Sequence, residues 1–217
     1  MHQAKKINRR IDALKDEFCG VVGLEKVQEL TEQALKPWGV NVIIEPDSSI
    51  RNGALSFGGL YDFNKKRRPI DIIIYYPANR ETHNFTKKAW SAFRFSLSQV
   101  LQHELIHKYQ YSWRHEFEDG GATFYYDVKG TEKSDKDHMD YLAELDEIDA
   151  YAHDIAMEIL QHYPRHNPYD ILSTLNKRRY IWSYNYYKRA FKHSTDWSEV
   201  RNRLLKKTYQ WLPHVVV

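Results

Sequence analysis

Apolar residues along this chain change their spacing twice, and the changes divide it into regions. Over residues 4–19, Ile7, Ile11, Leu14 and Phe18 recur at helical spacing, and over 24–36 Leu24, Val27, Leu30, Ala34 and Leu35 do the same. Two amphipathic helices follow. Gly20 and Gly23 punctuate between them, and Pro37 ends the second. The period then shortens: residues 40–45, 54–63 and 70–76 are rich in β-branched and aromatic residues and separated by turn-forming Pro46-Asp47-Ser48-Ser49 and the polar stretch 64–69. Three strands with short connections predict a small antiparallel or mixed sheet. The basic run Asn64-Lys65-Lys66-Arg67-Arg68 reads as a solvated hairpin tip.

After a loop over 77–85 the helical period returns. Trp90, Phe93, Leu97, Val100, Leu101 and Leu105 make one stripe of a helix over 87–111 that no Gly or Pro interrupts. Residues 112–140 are polar, contain Gly120-Gly121 and are long for a structureless connection. They read as a functional loop beside a cleft or as a carrier of short elements, with 132–140 its mobile part. A helix over 141–163 follows and stops before Pro164; the tail reads as two more helices, 171–191 and 198–212. The expected fold class is α+β and mainly helical, in one domain over 1–217. Its parts are N-terminal helices (1–39), a small sheet (40–76), a helical pair (87–163) and a basic helical tail (167–217).

Composition narrows the classes of function. A net charge of +3 with 28% charged residues fits neither a strongly basic nucleic-acid binder nor a disordered chain, and 42% hydrophobic content suffices for one core. Cys19 is the only cysteine, which excludes a disulfide framework and a Cys-based zinc ribbon and suits a reducing compartment. No apolar run reaches 18 residues, and the start of the chain lacks the apolar stretch of a signal peptide. A cytoplasmic chain with no membrane partner is expected. Between Lys177 and Lys207 stand ten Lys or Arg against two acids, interleaved with Tyr180, Trp182, Tyr184, Tyr186, Tyr187 and Trp197. Three readings stay open for this tail: a solvated face with an aromatic inner side, a docking surface for an acidic partner, or a grip on nucleic acid.

The candidate chemistry sits on the helix over 87–111, in His103-Glu104-Leu105-Ile106-His107. Residues i and i+4 lie one turn apart on one helix face, so both imidazoles can converge on one ion. Zinc takes neutral imidazole nitrogen, and its catalytic sites combine three protein ligands with an open position for water. Glu104, beside the first histidine, is placed to take a proton from that water and return it to a leaving amine. The helix over 141–163 should supply the third ligand. Glu147 is preferred, because Ala143 and Ala150 flank it at i−4 and i+3 and small residues let a second helix approach; a buried carboxylate then needs a cation. Glu144 and His115 are the weaker alternatives. Tyr151, His153 and His115 are candidate donors to the oxyanion, and Asp149 could accept the free N–H of a ligand imidazole.

His103-Glu104-Leu105-Ile106-His107, followed some forty residues later by Asp146-Glu147-Ile148-Asp149-Ala150-Tyr151-Ala152, resembles the gluzincin-type peptidases. It looks most like the small HExxH metallopeptidase-like proteins encoded by tailed bacteriophages, and it is also similar to the E-x-E-A element of ImmA/IrrE-type peptidases. The resemblance implies a zincin-like domain, a Zn²⁺ cofactor held by His103, His107 and Glu147, Glu104 as catalytic base, and a peptide or protein substrate. A phage structural protein or a host protein then becomes the expected partner. Gln110 and Trp113 exclude a metzincin, which needs Gly and His at those positions. The competing class is a non-catalytic zincin-fold or virion-associated protein that works through the basic aromatic tail.

Overall fold

The computed structural model describes residues 2–50, 54–117 and 135–217, with side chains from 3, up to 114 and again from 135. Two compact units make up the chain, residues 1–108 with Val217, and residues 109–216. In the first unit, α1 (His2–Asp12) and α2 (Leu24–Leu35) lie where helical spacing predicts them. The first ends earlier than expected. Past Asp12 the backbone tightens into i+3 turns, with Leu14 N–H donating to the Ile11 carbonyl at 2.9 Å and Lys15 N–H to that of Asp12 at 3.2 Å. Leu14 and Phe18 nevertheless stay buried, so apolar spacing outlasts the helix that it predicts.

Among the described residues, five strands form two small sheets. The larger contains β2 (Val40–Asp47), β3 (Ser56–Tyr61) and β4 (Ile70–Pro77) in the order β2-β4-β3, with β4 parallel to β2 and antiparallel to β3. The sheet is therefore mixed. The chain passes from β2 to the far edge and returns through the middle, giving the central place to the strand whose Ile70, Ile72 and Ile74 are fully buried. Residues 20–23, read as punctuation, are β1 (Gly20–Gly23), antiparallel to β5 (Thr82–Phe85) inside the expected loop 77–85. Strands of four residues carry too little alternation to register, but Val22 and Phe85 face the core. Phe85 stacks on Phe18 with ring centroids 4.9 Å apart.

Helix α3 (Lys87–Phe117) opens in this unit and ends in the second, six residues longer than expected. Its stripe of Trp90, Phe93, Leu97, Leu101 and Leu105 is buried in one cluster with Ile7, Ile11, Leu35, Val42 and the β4 isoleucines. Another row of α3 is polar and also buried. The Ser98 hydroxyl donates to Asn8 Oδ1 at 2.6 Å and accepts from Gln102 Nε2 at 2.9 Å, so the row is satisfied by α1.

The second unit holds the end of α3, then α4 (Asp135–Ala143), α5 (Leu145–His162), α6 (Pro168–Ser173), α7 (Trp182–Ala190) and α8 (Trp197–Trp211). Much of the expected connection over 112–140, with Gly120-Gly121, lies outside the described residues, but α4 occupies 135–140, expected to be mobile. The helix expected over 141–163 is broken at Glu144, whose extended backbone (φ −61°, ψ 143°) starts α5 afresh. Leu145, the first residue of α5, is accordingly exposed, whereas Ile148, Ala152, Ile155 and Ile159 are buried. The tail helix expected over 171–191 is likewise interrupted. Arg178 is extended, and α7 restarts where the buried Glu158 carboxylate accepts from Ser183 N–H at 3.2 Å and Ser183 Oγ at 2.8 Å. A cap supplied from another helix leaves no local signal. Among the described residues, no helix is long and apolar enough to cross a membrane.

Tyr187, expected among the tail aromatics, is core: fully buried, it donates its hydroxyl to the Leu142 carbonyl at 2.9 Å. Burial, reinforced by the charge of Glu147, raises its pKa well above the ordinary tyrosine value. The folded state thus holds a proton that the unfolded chain releases near pH 10. Its contribution is complete below about pH 10 and is lost as pH rises through the folded value. Tyr187→Phe should cost about 1 kcal/mol at pH 7 through the lost hydrogen bond, yet lose stability less steeply in strong alkali. Denaturant melts at pH 7 and about pH 11 compare the two slopes.

Candidate metal centre

The α3 stripe turns Leu101 and Leu105 into the core, which puts His103 and His107 on a neighbouring side of the helix, half buried. Their Nε2 atoms stand 3.1 Å apart, with ring centroids at 4.9 Å. Two imidazole nitrogens on one tetrahedral zinc, each at about 2.05 Å, would stand about 3.3 Å apart. The pair already has that separation. Glu104 is 5% exposed.

Glu147 stands in the first turn of α5, 1% exposed, between buried Ile148 and half-buried Asp146. Two acids at a helix N-terminus are favoured by the helix dipole. The same turn is held by the last turns of α3: the Arg114 guanidinium pairs with the Asp146 carboxylate, and Gln110 Nε2 donates to the Asp146 carbonyl at 3.3 Å. His103 and His107 lie about one to three turns before these anchors on the same helix. The ligand atoms of His103, His107 and Glu147 all lie within 4.8 Å of one another, the only such group of metal-capable side chains among the described residues.

The donor set fits zinc: two imidazole nitrogens and one carboxylate oxygen, which leave a fourth position for water. Glu144 is absent from this group and serves as the residue before α5. The side chain of His115 lies outside the described residues.

Other candidates have structural work. The Asp149 carboxylate accepts from Trp211 Nε1 at 3.1 Å and pairs with Lys207 at 3.2 Å, clamping α8 to α5 instead of steadying an imidazole. His153 is buried edge-on against Trp211, its Nδ1 3.6 Å from Asp154 Oδ1. Tyr151 stacks on Tyr186 with centroids at 5.8 Å. What sequence reading missed is the partner of that stack: the Tyr186 hydroxyl lies 2.6 Å from His138 Nε2, on α4. Burial raises the Tyr186 pKa, the charge of Glu147 raises it further, and Arg189 opposes both. No sequence signal joins residues 138 and 186 except their being His and Tyr. In the tail, Tyr184 and Tyr187 face inward while Tyr180 and Trp182 are exposed, with Arg179 over the Tyr180 ring at 5.1 Å.

Comparison with family models, with curated proteins and with solved structures finds no match to this chain.

The grouping makes a prediction about stoichiometry. Purified native protein should carry about one zinc per chain, measured by elemental mass spectrometry. Glu147→Ala should lose most of it, and Glu144→Ala should keep it.

Proposed function

We propose that this chain is a zinc-dependent peptidase in which His103, His107 and Glu147 hold the ion and Glu104 is the general base. The observation that carries the reading is the convergence of those three donor sets within 4.8 Å, with Glu104, 5% exposed, next to His103 on the same helix. A zinc ion bound there supplies Lewis acidity, which activates water and polarises a carbonyl.

The chain's own groups do the rest. Glu104 accepts a proton from the attacking water as the new C–O bond forms. It then delivers that proton to the departing nitrogen as the C–N bond breaks, leaving a carboxylic acid and an amine. Burial favours this traffic, because a carboxylate shielded from bulk water exchanges its proton with the reactant held beside it. Negative charge grows on the former carbonyl oxygen, and a protein O–H or N–H aimed there lowers the barrier. Tyr186 is our candidate donor. Burial first, and then the charge of Glu147, raise its pKa above the ordinary tyrosine value, and its hydroxyl is hydrogen-bonded to His138 at 2.6 Å. The resemblance to phage-encoded HExxH proteins makes a host or phage protein the natural substrate class.

A binding reading is favoured by a different observation. Tyr180 and Trp182 are exposed beside Arg178 and Arg179, an arrangement suited to an acidic partner. One variant separates the two. Glu104→Gln should retain zinc and lower the cleavage of fluorescein-labelled casein by about a hundredfold to ten-thousandfold, whereas a binding protein keeps its cellular effect. Tyr186→Phe should lower the same rate by about a hundredfold with zinc content unchanged.

A further inference from the structure

Strand β3 is an edge of the mixed sheet, and alternate residues along it point to one face. Phe57 and Tyr61 are packed against the core cluster, and Phe57 meets Phe93 of α3 edge-on with centroids 5.5 Å apart. Gly59 lies between them on that same face. A methyl group at residue 59 would sit 2.4 Å from Glu104 Oε1, 2.7 Å from Glu104 Cγ and 2.8 Å from Val100 Cγ1. Its φ is not in the left-handed region, which among the described glycines only Gly20 and Gly39 adopt. Backbone freedom therefore does not call for glycine here. Close approach does, and glycine inside a strand otherwise costs about 0.5–1 kcal/mol relative to alanine.

We propose that Gly59 is a positioning residue for the Glu104 carboxylate, which is seated in the notch that the missing side chain leaves in β3. The inference rests on the reading of Glu104 as general base and adds what holds it in place. Nonbonded carbons settle at about 3.5–4.0 Å, so a methyl at 59 overlaps both the stem and the head of Glu104. Rotation of the carboxylate relieves only the oxygen contact. The Cγ contact remains, and Val100, one helical turn earlier, crowds the same methyl at 2.8 Å. Glu104 must change rotamer, or β3 must lift away from α3. The first displaces the carboxylate by about 1 Å, a misplacement that costs about a hundredfold in rate where a proton is passed between fixed partners, and the second removes the wall of the notch that seats it.

The same contact separates Gly59 from its neighbour. A methyl at Gly58 meets the Tyr75 ring at 3.2 Å, on the opposite face and away from Glu104. A ring edge gives by a few tenths of an ångström, so Gly58→Ala tests the strand without testing the notch.

The experiment compares native protein, Gly59→Ala, Gly58→Ala, Glu104→Ala and Gly59→Ala/Glu104→Ala. The readouts are zinc content, thermal melting, and the pH dependence of fluorescein-casein cleavage. The inference expects Gly59→Ala to keep zinc, lose about a hundredfold in rate and change its pH profile, while Gly58→Ala stays within about threefold of native. It also expects the drop in melting temperature caused by Gly59→Ala to be at least halved when Glu104 is already alanine, because the two side chains then no longer meet. A native rate and pH profile in Gly59→Ala, or an equal melting loss in both backgrounds, overturns the positioning role. If native protein cleaves nothing, the peptidase reading falls, and the melting cycle alone decides whether Gly59 accommodates Glu104. Should Gly59→Ala not fold, a folded double variant supports the notch and an unfolded one overturns it.

Discussion

The rest of the site depends on one constraint: a carboxylate taken out of water must be met by positive charge or by donors. Glu147 is 1% exposed and Glu104 is 5% exposed, so the chain has carried two acids into places where an isolated charge is untenable. Around Glu147 the arrangement is layered. The N-terminal dipole of α5 favours an anion in its first turn, and the Asp146 contacts to Arg114 and Gln110 hold that turn. Two imidazoles bring their Nε2 atoms to 3.1 Å beside it. A divalent cation would complete such a group in a way that neutral packing could not.

That constraint explains why α3 is not an ordinary amphipathic helix. One side is the apolar stripe Trp90, Phe93, Leu97, Leu101 and Leu105. A second carries Ser98 and Gln102, buried and satisfied through Asn8. A third carries the two histidines, with Glu104 under β3. A helix asked to bury apolar, amide and carboxylate groups on different sides has little face left for water. Its helical run from Lys87 to Phe117, 31 residues without Gly or Pro, keeps these sides in register. The loop-forming residues are displaced to its flanks.

How much of this is legible beforehand follows from where each signal resides. Local periodicity makes α3 readable, because its stripe repeats over many turns, and the small residues around Glu147 mark that carboxylate as one that a neighbour can approach. The mixed character of the sheet is within reach of the strand count, but the central position of β4 shows only in its run of isoleucines. Signals that come from elsewhere in the chain are invisible locally. The restart of α7 depends on Glu158, 25 residues earlier in sequence, and the His138–Tyr186 pair spans 48. Asp149 looks like a helper of the site because it follows Glu147 by two, yet on a helix two residues is a turn to another side, and there it meets Trp211 and Lys207. The break at Glu144 leaves no Gly or Pro to announce it. Two acids in the new first turn are its trace.

Gly59 joins these two kinds of information. In sequence it is one of a glycine pair in a strand, a local weakness with no stated reason. In space it is the room that Glu104 occupies, and the weakness of the strand becomes the depth of the notch. The trade is asymmetric. An alanine at 59 would give the strand back about 0.5–1 kcal/mol of backbone preference, but only by dislodging a carboxylate whose stem would lie 2.7 Å from the new methyl. An apolar residue at 104 would sit more cheaply in that core and would leave nothing there to move a proton. Residues that are poor choices for the fold at two facing positions, and that fit each other, are what selection for chemistry would leave in a helix–strand packing otherwise built from isoleucine, leucine and phenylalanine.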